Sequence, residues 1–334
     1  MFYAARMDVT PLTQLAGRVL GTVLEPTIVF SFDRTGFLLH QTQFNPADTN
    51  VEMRGRVCLV TGASSGLGFV TARTLAQHGA RVFLLCRSED RGRAAVDDIR
   101  RESDDGPAYL ELVDIADFSS VRAFVERFAE ERVDVLVHNA GVLSDELLFT
   151  GDDIELTLAT NVIGPFLLTH LLLPKLLASR DARVITVSSG GMYTQRLCVD
   201  DLQAHKGKFD GVVQYARTKR AEVVLNELWP ARTRRKSVSF CCMHPGWADT
   251  PAVRTSLPRF YRVMRPLLRT PEQGADTIIW LAMCERIAGE SGKFWFDREQ
   301  RRTHYVPWTR ESAEERKCLW ELCERLSGID ATGS

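Results

Sequence analysis

The stretch Val57–Gly68, VCLVTGASSGLG, constrains this chain more than any other. Val57, Cys58, Leu59 and Val60 form a short apolar run that reads as a buried parallel strand. The run breaks at Thr61–Gly62, and a helical pattern starts at Leu67. Gly62, Gly66 and Gly68 lie in the turn, with Ser64 and Ser65 between them. Glycine takes the required turn geometry and has no Cβ to block a close approach. A backbone of this kind passes close to a phosphate group, with the N–H groups of the helix start facing its negative charge.

From Arg56 onward the pattern alternates. Strands are expected near 57–61, 81–86, 108–113, 133–138, 183–188, 237–243 and 293–297, and helices near 67–78, 90–103, 117–131, 152–178, 213–229 and 271–286. This alternation predicts an α/β fold: a Rossmann-type, doubly wound parallel sheet with helices on both faces. Its ligand is expected beyond the carboxyl ends of the strands. Residues 1–54 read as an N-terminal arm, 55–300 as the α/β domain, and 301–334 as a C-terminal extension. In the arm, Leu12, Leu15, Ala16, Val19, Leu20 and Val23 recur at helical spacing, Pro26 ends the pattern, and Thr27–Phe32 is β-like. Only Arg18 is basic within 10–25, which favours an arm packed on the domain over a helix lying on a membrane.

Composition excludes some classes. Lys and Arg total 42 against 43 Asp and Glu, a net charge of −1, so no global field draws nucleic acid. The eight cysteines form no C-x-x-C pair and mostly sit in apolar runs, which favours an intracellular, cytoplasmic setting. The seven histidines are scattered without metal-ligand spacing, so no metal is expected. No stretch approaches the ~20 apolar residues of a bilayer span; Phe166–Leu177, broken by His170, Pro174 and Lys175, reads as a buried helix. The start lacks a signal-peptide layout, because Asp8, Arg18 and Glu25 interrupt any apolar region.

The strand ends carry the chemistry. An acidic residue after the second strand would bind the ribose 2′-hydroxyl of NAD. Here Cys86 stands there, followed by Arg87, whose guanidinium can pair with a 2′-phosphate. NADP(H) is therefore favoured over NAD(H). Asp114, at the third strand end, either accepts from an adenine amine or caps the next turn. The fourth strand runs into Asn139–Ala140–Gly141, where small residues let a dinucleotide lie against backbone and Asn139 ties neighbouring strands. Asn161, in the long helix, is a candidate to order water toward Lys219. The fifth strand delivers Ser189, suited to donate to a substrate oxygen. Tyr215 and Lys219 share a helical face at i and i+4. Moving a phenol from ~10 to ~7 requires roughly 4 kcal/mol, about what one cation at ~4 Å supplies in an effective dielectric of ~20. Lys219 also reads as a donor to the nicotinamide ribose. Pro245, Gly246 and Thr250 follow the sixth strand and suit a carboxamide.

The order of these motifs resembles the short-chain dehydrogenase/reductase superfamily over about 56–300. The resemblance implies a Rossmann-type sheet, NAD(P) binding, and a catalytic tetrad that falls on Asn161, Ser189, Tyr215 and Lys219. The segments VITVSSGGMY, FDGVVQYARTKR, MHPGWADTP and QGADTIIWLA resemble one subgroup of it more narrowly, and the long Ser189–Tyr215 spacing resembles the retinol-dehydrogenase-like branch. His138 departs from the pattern, since an asparagine is usual before Asn139.

Two segments are expected to shape the substrate pocket, Gly190–Gln214 and Trp247–Thr270. The second mixes Trp247, Phe260, Tyr261, Val263, Met264, Leu267 and Leu268 with Arg254, Arg259, Arg262, Arg265 and Arg269. Its apolar content favours a hydrophobic carbonyl or alcohol substrate. Its arginines read first as a solvated helical face, with contact to anionic lipid headgroups or to an acidic substrate as the alternatives. Leu319, Leu322, Cys323 and Leu326 share a face of a tail helix ending near Gly328, which packs on its own subunit or on a second copy in a homo-oligomer. A non-catalytic, cofactor-binding scaffold is the rival reading, and the intact tetrad argues against it.

Overall fold

The computed structural model describes residues 31–103, 107–233 and 237–329. Eight strands form one sheet: β1 (Val57–Thr61), β2 (Arg81–Cys86), β3 (Ala108–Leu112), β4 (Val135–His138), β5 (Ala182–Val187), β6 (Val238–Met243), β7 (Lys293–Phe296) and β8 (Glu299–Gln300). Their order is β3-β2-β1-β4-β5-β6-β7-β8. All neighbours pair in parallel except β7 and β8. The order reverses between β1 and β4, and the carboxyl ends of those two strands open the crevice where a doubly wound sheet takes its ligand.

Period-two alternation divides the strands between two cores. Val57 and Leu59 of β1 face one core, Cys58 and Val60 the other. The first core is covered by α4 (Phe118–Arg127), α5 (Leu156–Leu177), α6 (Gly211–Thr233) and α10 (Ala313–Ser327). The second is covered by α2 (Gly66–Gln77), α3 (Glu89–Glu102) and α9 (Pro271–Met283). With both faces covered, β1 is buried at all five positions, which is why it reads as a continuous apolar run.

The expected strands and helices are present, with shifts of a few residues at their ends. Several features differ. The apolar helix α5 lies inside the expected 152–178, but against the expectation that no stretch approaches a bilayer span its 22 residues suffice by length and hydropathy to cross a membrane, with 67% of the apolar window buried inside the chain. Of the β-like stretch 27–32, only Ser31 and Phe32 are described, and they are helical; the helix expected over 12–23 lies outside the described residues. A further helix, α1 (Arg34–Gln41), follows. Two short helices, α7 (Pro251–Ser256) and α8 (Pro258–Met264), form after β6. The tail helix α10 starts at a capping box of Ser312 and Glu315 and ends at Gly328 with φ 64°. It packs on its own chain, with Trp320 edge-on to Phe166 and Trp229.

Candidate active site

The glycine-rich turn is built by close approach. Gly62 and Gly66 have φ of 64° and 58°. A methyl group on Gly68 would lie 2.4 Å from Asn139 Nδ2 and 2.7 Å from Gly62 O, so helix α2 seats against the turn only with glycine there. Ser65, the N-cap of α2, makes no side-chain cap hydrogen bond, which leaves the helix start open to an anion. Thr61 locks the two strand ends together: its Oγ1 accepts from Asn139 N (3.0 Å) and Ala140 N (2.9 Å). Asn139 Nδ2 in turn donates to Thr61 O (2.9 Å). The exposed Ser65 and half-buried Ser64 and Gly66 face outward, while Leu67 is buried beneath.

At the end of β2, burial pushes the Cys86 thiol up to about 11, against hydrogen bonds from Ala63 and Ser64 of the turn and the charge of Arg91. Arg87 is exposed beside it and has no hydrogen-bond or ion-pair partner among the described residues. Asp114 uses Oδ1 to cap the turn after β3, accepting from Ala116 N at 2.9 Å. These residues fit a dinucleotide: a cradle that a Cβ would fill, an uncapped helix start, and a guanidinium at the strand end.

The reactive side chains come from α5, β5 and α6. A π-helical turn, Ala159–Ile163, interrupts α5 and turns Asn161 inward. Asn161 Oδ1 accepts from Val142 N (2.9 Å), and its Nδ2 donates to Val142 O (3.1 Å) and Thr218 Oγ1 (3.0 Å). A Cβ on Gly141 would lie 3.5 Å from both Asn161 Oδ1 and Lys219 Nζ, so the loop after β4 runs between these two groups. Lys219 Nζ sits 5.4 Å from the centre of the Tyr215 ring. It donates to Val187 O (3.0 Å) and to Glu222 Oε1 (2.6 Å). Burial works against the Lys219 ammonium, but the Glu222 carboxyl and the Tyr215 phenol outweigh it and raise the lysine above its ordinary value. Ser189 Oγ accepts from Gly191 N (3.2 Å), which leaves its hydroxyl proton to donate elsewhere. Gly191 packs against Ala216, next to Tyr215, so the loop after Ser189 lies on the same helix.

The family model for short chain dehydrogenases matches residues 56–259. The chain belongs to this family. It is 42% identical to dehydrogenase/reductase SDR family member 12 of Bos taurus over 301 residues, 89% of this chain and 94% of the relative. It is 34% identical to retinol dehydrogenase 12 of Homo sapiens, over 84% of this chain and 89% of that one. Among solved structures, a short chain dehydrogenase of Escherichia coli CFT073 complexed with NADPH matches with a TM-score of 0.60 at 25% identity, covering 74% of this chain and 98% of that chain. The protein is an NAD(P)-dependent oxidoreductase.

In this short-chain dehydrogenase the segment after β6 differs from expectation in detail. Thr250 caps α7, its Oγ1 accepting from Val253 N at 3.3 Å, and its methyl lies 3.6 Å from a Cβ placed on Gly66. Gly246, with φ 74°, is shaped by what lies behind it: a Cβ there would come within 2.3 Å of the buried Arg269 side chain. Pro245 contributes its carbonyl, 3.6 Å from a Cβ placed on Gly274 of α9. Sequence reasoning passed over His244. Its Nδ1 accepts from Gly190 N (3.1 Å) and Gly246 N (3.3 Å), joining the loop after Ser189 to the turn after β6. Burial pushes its pKa down to about 3, so the ring stays neutral and can accept. Glu222 was passed over as well, since a Lys–Glu spacing of three is common on solvated helices.

Proposed function

We propose that the protein transfers a hydride between NADP(H) and a hydrophobic carbonyl or alcohol, with Tyr215 exchanging the proton at the substrate oxygen. The observation that carries this reading is the Lys219 ammonium 5.4 Å from the Tyr215 ring centre on one face of α6. A cation beside the ring interacts with the negative charge that develops on the phenol oxygen during proton transfer. Tyr215 can then act as a general acid in reduction and a general base in oxidation. Ser189 donates to the substrate oxygen and holds it for the proton transfer. Asn161 holds the loop after β4 through the Val142 backbone and keeps Thr218 in register on α6. When bound, the nicotinamide supplies or accepts the hydride. The cradle of Gly62, Ser64, Ser65, Gly66, Leu67 and Gly68 would hold the pyrophosphate, Arg87 the 2′-phosphate, and Asp114 the adenine. Asn139, Ala140 and Gly141 would line the dinucleotide, and Pro245, Gly246 and Thr250 the carboxamide end.

Retinol dehydrogenases among the relatives support a hydrophobic alcohol or aldehyde as substrate. So does the mixed aromatic and aliphatic lining offered by the segment 247–270. The reading extends to a peripheral contact with anionic lipid through α8 and the turn after it. There Val263 is 74% exposed and Leu267 is 40% exposed, with Arg259, Arg262 and Arg265 exposed around them.

Replacing Tyr215→Phe tests the mechanism. The variant is expected to lose more than about a hundredfold in kcat with aliphatic and retinoid aldehydes, while NADPH affinity, read by fluorescence titration, stays within a few-fold. Full turnover in that variant would refute the reading. Tight NADPH binding by the native protein, with no oxidation across a panel of hydrophobic aldehydes, ketones and quinones, would favour a scaffold instead.

A further inference from the structure

Lys219 has a second neighbour besides the phenol, and the two neighbours compete for its charge. Its Nζ lies 2.6 Å from Glu222 Oε1, with both side chains buried. The other carboxyl oxygen, Glu222 Oε2, has no hydrogen-bond partner among the described residues, and neither has His138 Nδ1. Both residues line one cavity of about 30 Å³, together with Asn161, Asn226, Phe166 and Phe240. A water needs roughly 10–15 Å³ and at least two polar partners, so this space accepts water next to Oε2. A buried carboxyl with only one oxygen paired resists ionisation.

The consequence for Tyr215 is electrostatic. Lys219 favours the phenolate by its net charge. A carboxylate against Nζ cancels most of that charge at the distance of the ring, whereas a neutral acid leaves it intact. Resting on the reading of Tyr215 as the proton-transfer group, we infer that Glu222 is a positioning residue whose own proton sets how strongly Lys219 favours the Tyr215 phenolate. The proton passes between Oε2 and water in the cavity, and no electrons move. Burial pushes the Glu222 carboxyl up to about 7, against the pull of Lys219 and Ser188. The other titratable groups around it do not compete in this range. Cys242 on β6 is held a neutral thiol by burial. His138 on β4, across the cavity, is pushed down to about 3 by burial and stays neutral. Below the Glu222 value, Lys219 acts at full strength; above it, the carboxylate opposes Lys219 and Tyr215 binds its proton more tightly.

The test is a titration of the Tyr215 phenolate by ultraviolet absorbance in the cofactor-free protein, taken as the difference between the native chain and Tyr215→Phe. In Glu222→Gln, which keeps an oxygen for Nζ but carries no charge, the phenolate should appear about one pH unit or more lower than in the native chain. The acid limb of kcat for alcohol oxidation should shift with it. A folded Glu222→Gln with unmoved titration and pH profile would overturn the inference. If that variant does not fold, Glu222→Met, of similar volume and likewise uncharged, takes its place, and an unmoved titration there overturns the inference. Full turnover in Tyr215→Phe would instead overturn the underlying reading. An inactive Tyr215→Phe beside an unshifted Glu222→Gln removes only the role of Glu222.

Discussion

Arg87 stands exposed at the end of β2, and the residue before it, Cys86, offers no carboxylate to a ribose hydroxyl. A guanidinium without a protein partner is available to a phosphate, and a charge-assisted, bidentate pair discriminates strongly against a ligand that lacks the group. Replacing Arg87→Ala should therefore weaken NADPH binding at least about tenfold. NADH binding should be left nearly unchanged, as read by fluorescence titration of both cofactors. Equal losses for the two would place the discrimination elsewhere, with Arg91 next in line. The placements of Arg87, Tyr215 and Lys219 were legible in the sequence because they are local: a strand end, and a spacing of four on one helix. Glu222 was not legible, because a buried pair and a surface pair have the same spacing, and only the strands around it decide which one forms. His244 was not legible either. Its partners are backbone N–H groups of Gly190 and Gly246, and no side-chain pattern encodes backbone donors brought together from two loops.

Elements that alternate along the chain were readable because both the apolar run of a buried strand and the spacing of an amphipathic helix are written in neighbouring residues. The elements that escaped depend on distant partners. The turn joining β7 to the two-residue β8 contains Asp297 and Arg298, with φ of 50° and 61°. Such a turn prefers Asn-Gly or Asp-Gly, and Asp-Arg gives no such signal. It is held from outside: Arg269 Nη1 donates to Asp297 Oδ1 (2.6 Å), and His40 Nδ1 lies 2.7 Å from Oδ2. The same guanidinium donates to Ser31 O (2.9 Å) and Asp33 O (3.1 Å), so it binds the segment leading into α1 to the sheet edge. Burial alone would raise Asp297; Arg269 and His40 overcome it and hold the carboxyl below its ordinary value. A depressed carboxylate stabilises the fold above its unfolded pKa, ~3.9, and that stabilisation is lost as pH falls through the native value. Asp297→Asn keeps a residue tolerant of positive φ but leaves Arg269 buried without its counter-charge. It should cost about 3–5 kcal/mol and speed amide exchange in α1 before the rest of the molecule. The native protein should also lose more stability than the variant on acidification below pH ~4. A variant with unchanged Tm and unchanged exchange in α1 would mean that the ion pair does not hold the arm.

Across the whole molecule a net charge of −1 produces no long-range field toward an anionic surface, so any attraction to one must be local. Among the described residues the helix long and apolar enough to cross a membrane, α5, has most of its apolar window buried inside the chain, against the first core. Among the described residues, α8 and the turn after it carry Val263 and Leu267 exposed among Arg259, Arg262 and Arg265. It follows β6 on the side of the sheet that carries the candidate site, next to Trp247, whose ring meets Phe260 edge-on at 5.4 Å. A hydrophobic substrate drawn from a lipid surface would meet this segment first. Each basic residue near an anionic bilayer contributes about a fivefold factor in binding, and that factor falls as salt shortens the screening length to about 3 Å at 1 M. Flotation with phosphatidylserine-containing vesicles should therefore recover the protein at low salt and lose it at high salt, with little recovery on phosphatidylcholine alone. Arg259→Glu combined with Arg262→Glu should abolish recovery, and Val263→Asp should reduce it at every salt concentration, because the inserted side chain acts through burial rather than charge. Turnover of a short, water-soluble aldehyde should be unchanged in these variants, while turnover of a vesicle-borne retinoid falls. Equal recovery on both vesicle types, or equal turnover of both substrates, would leave the arginines as a solvated face and the substrate arriving from water.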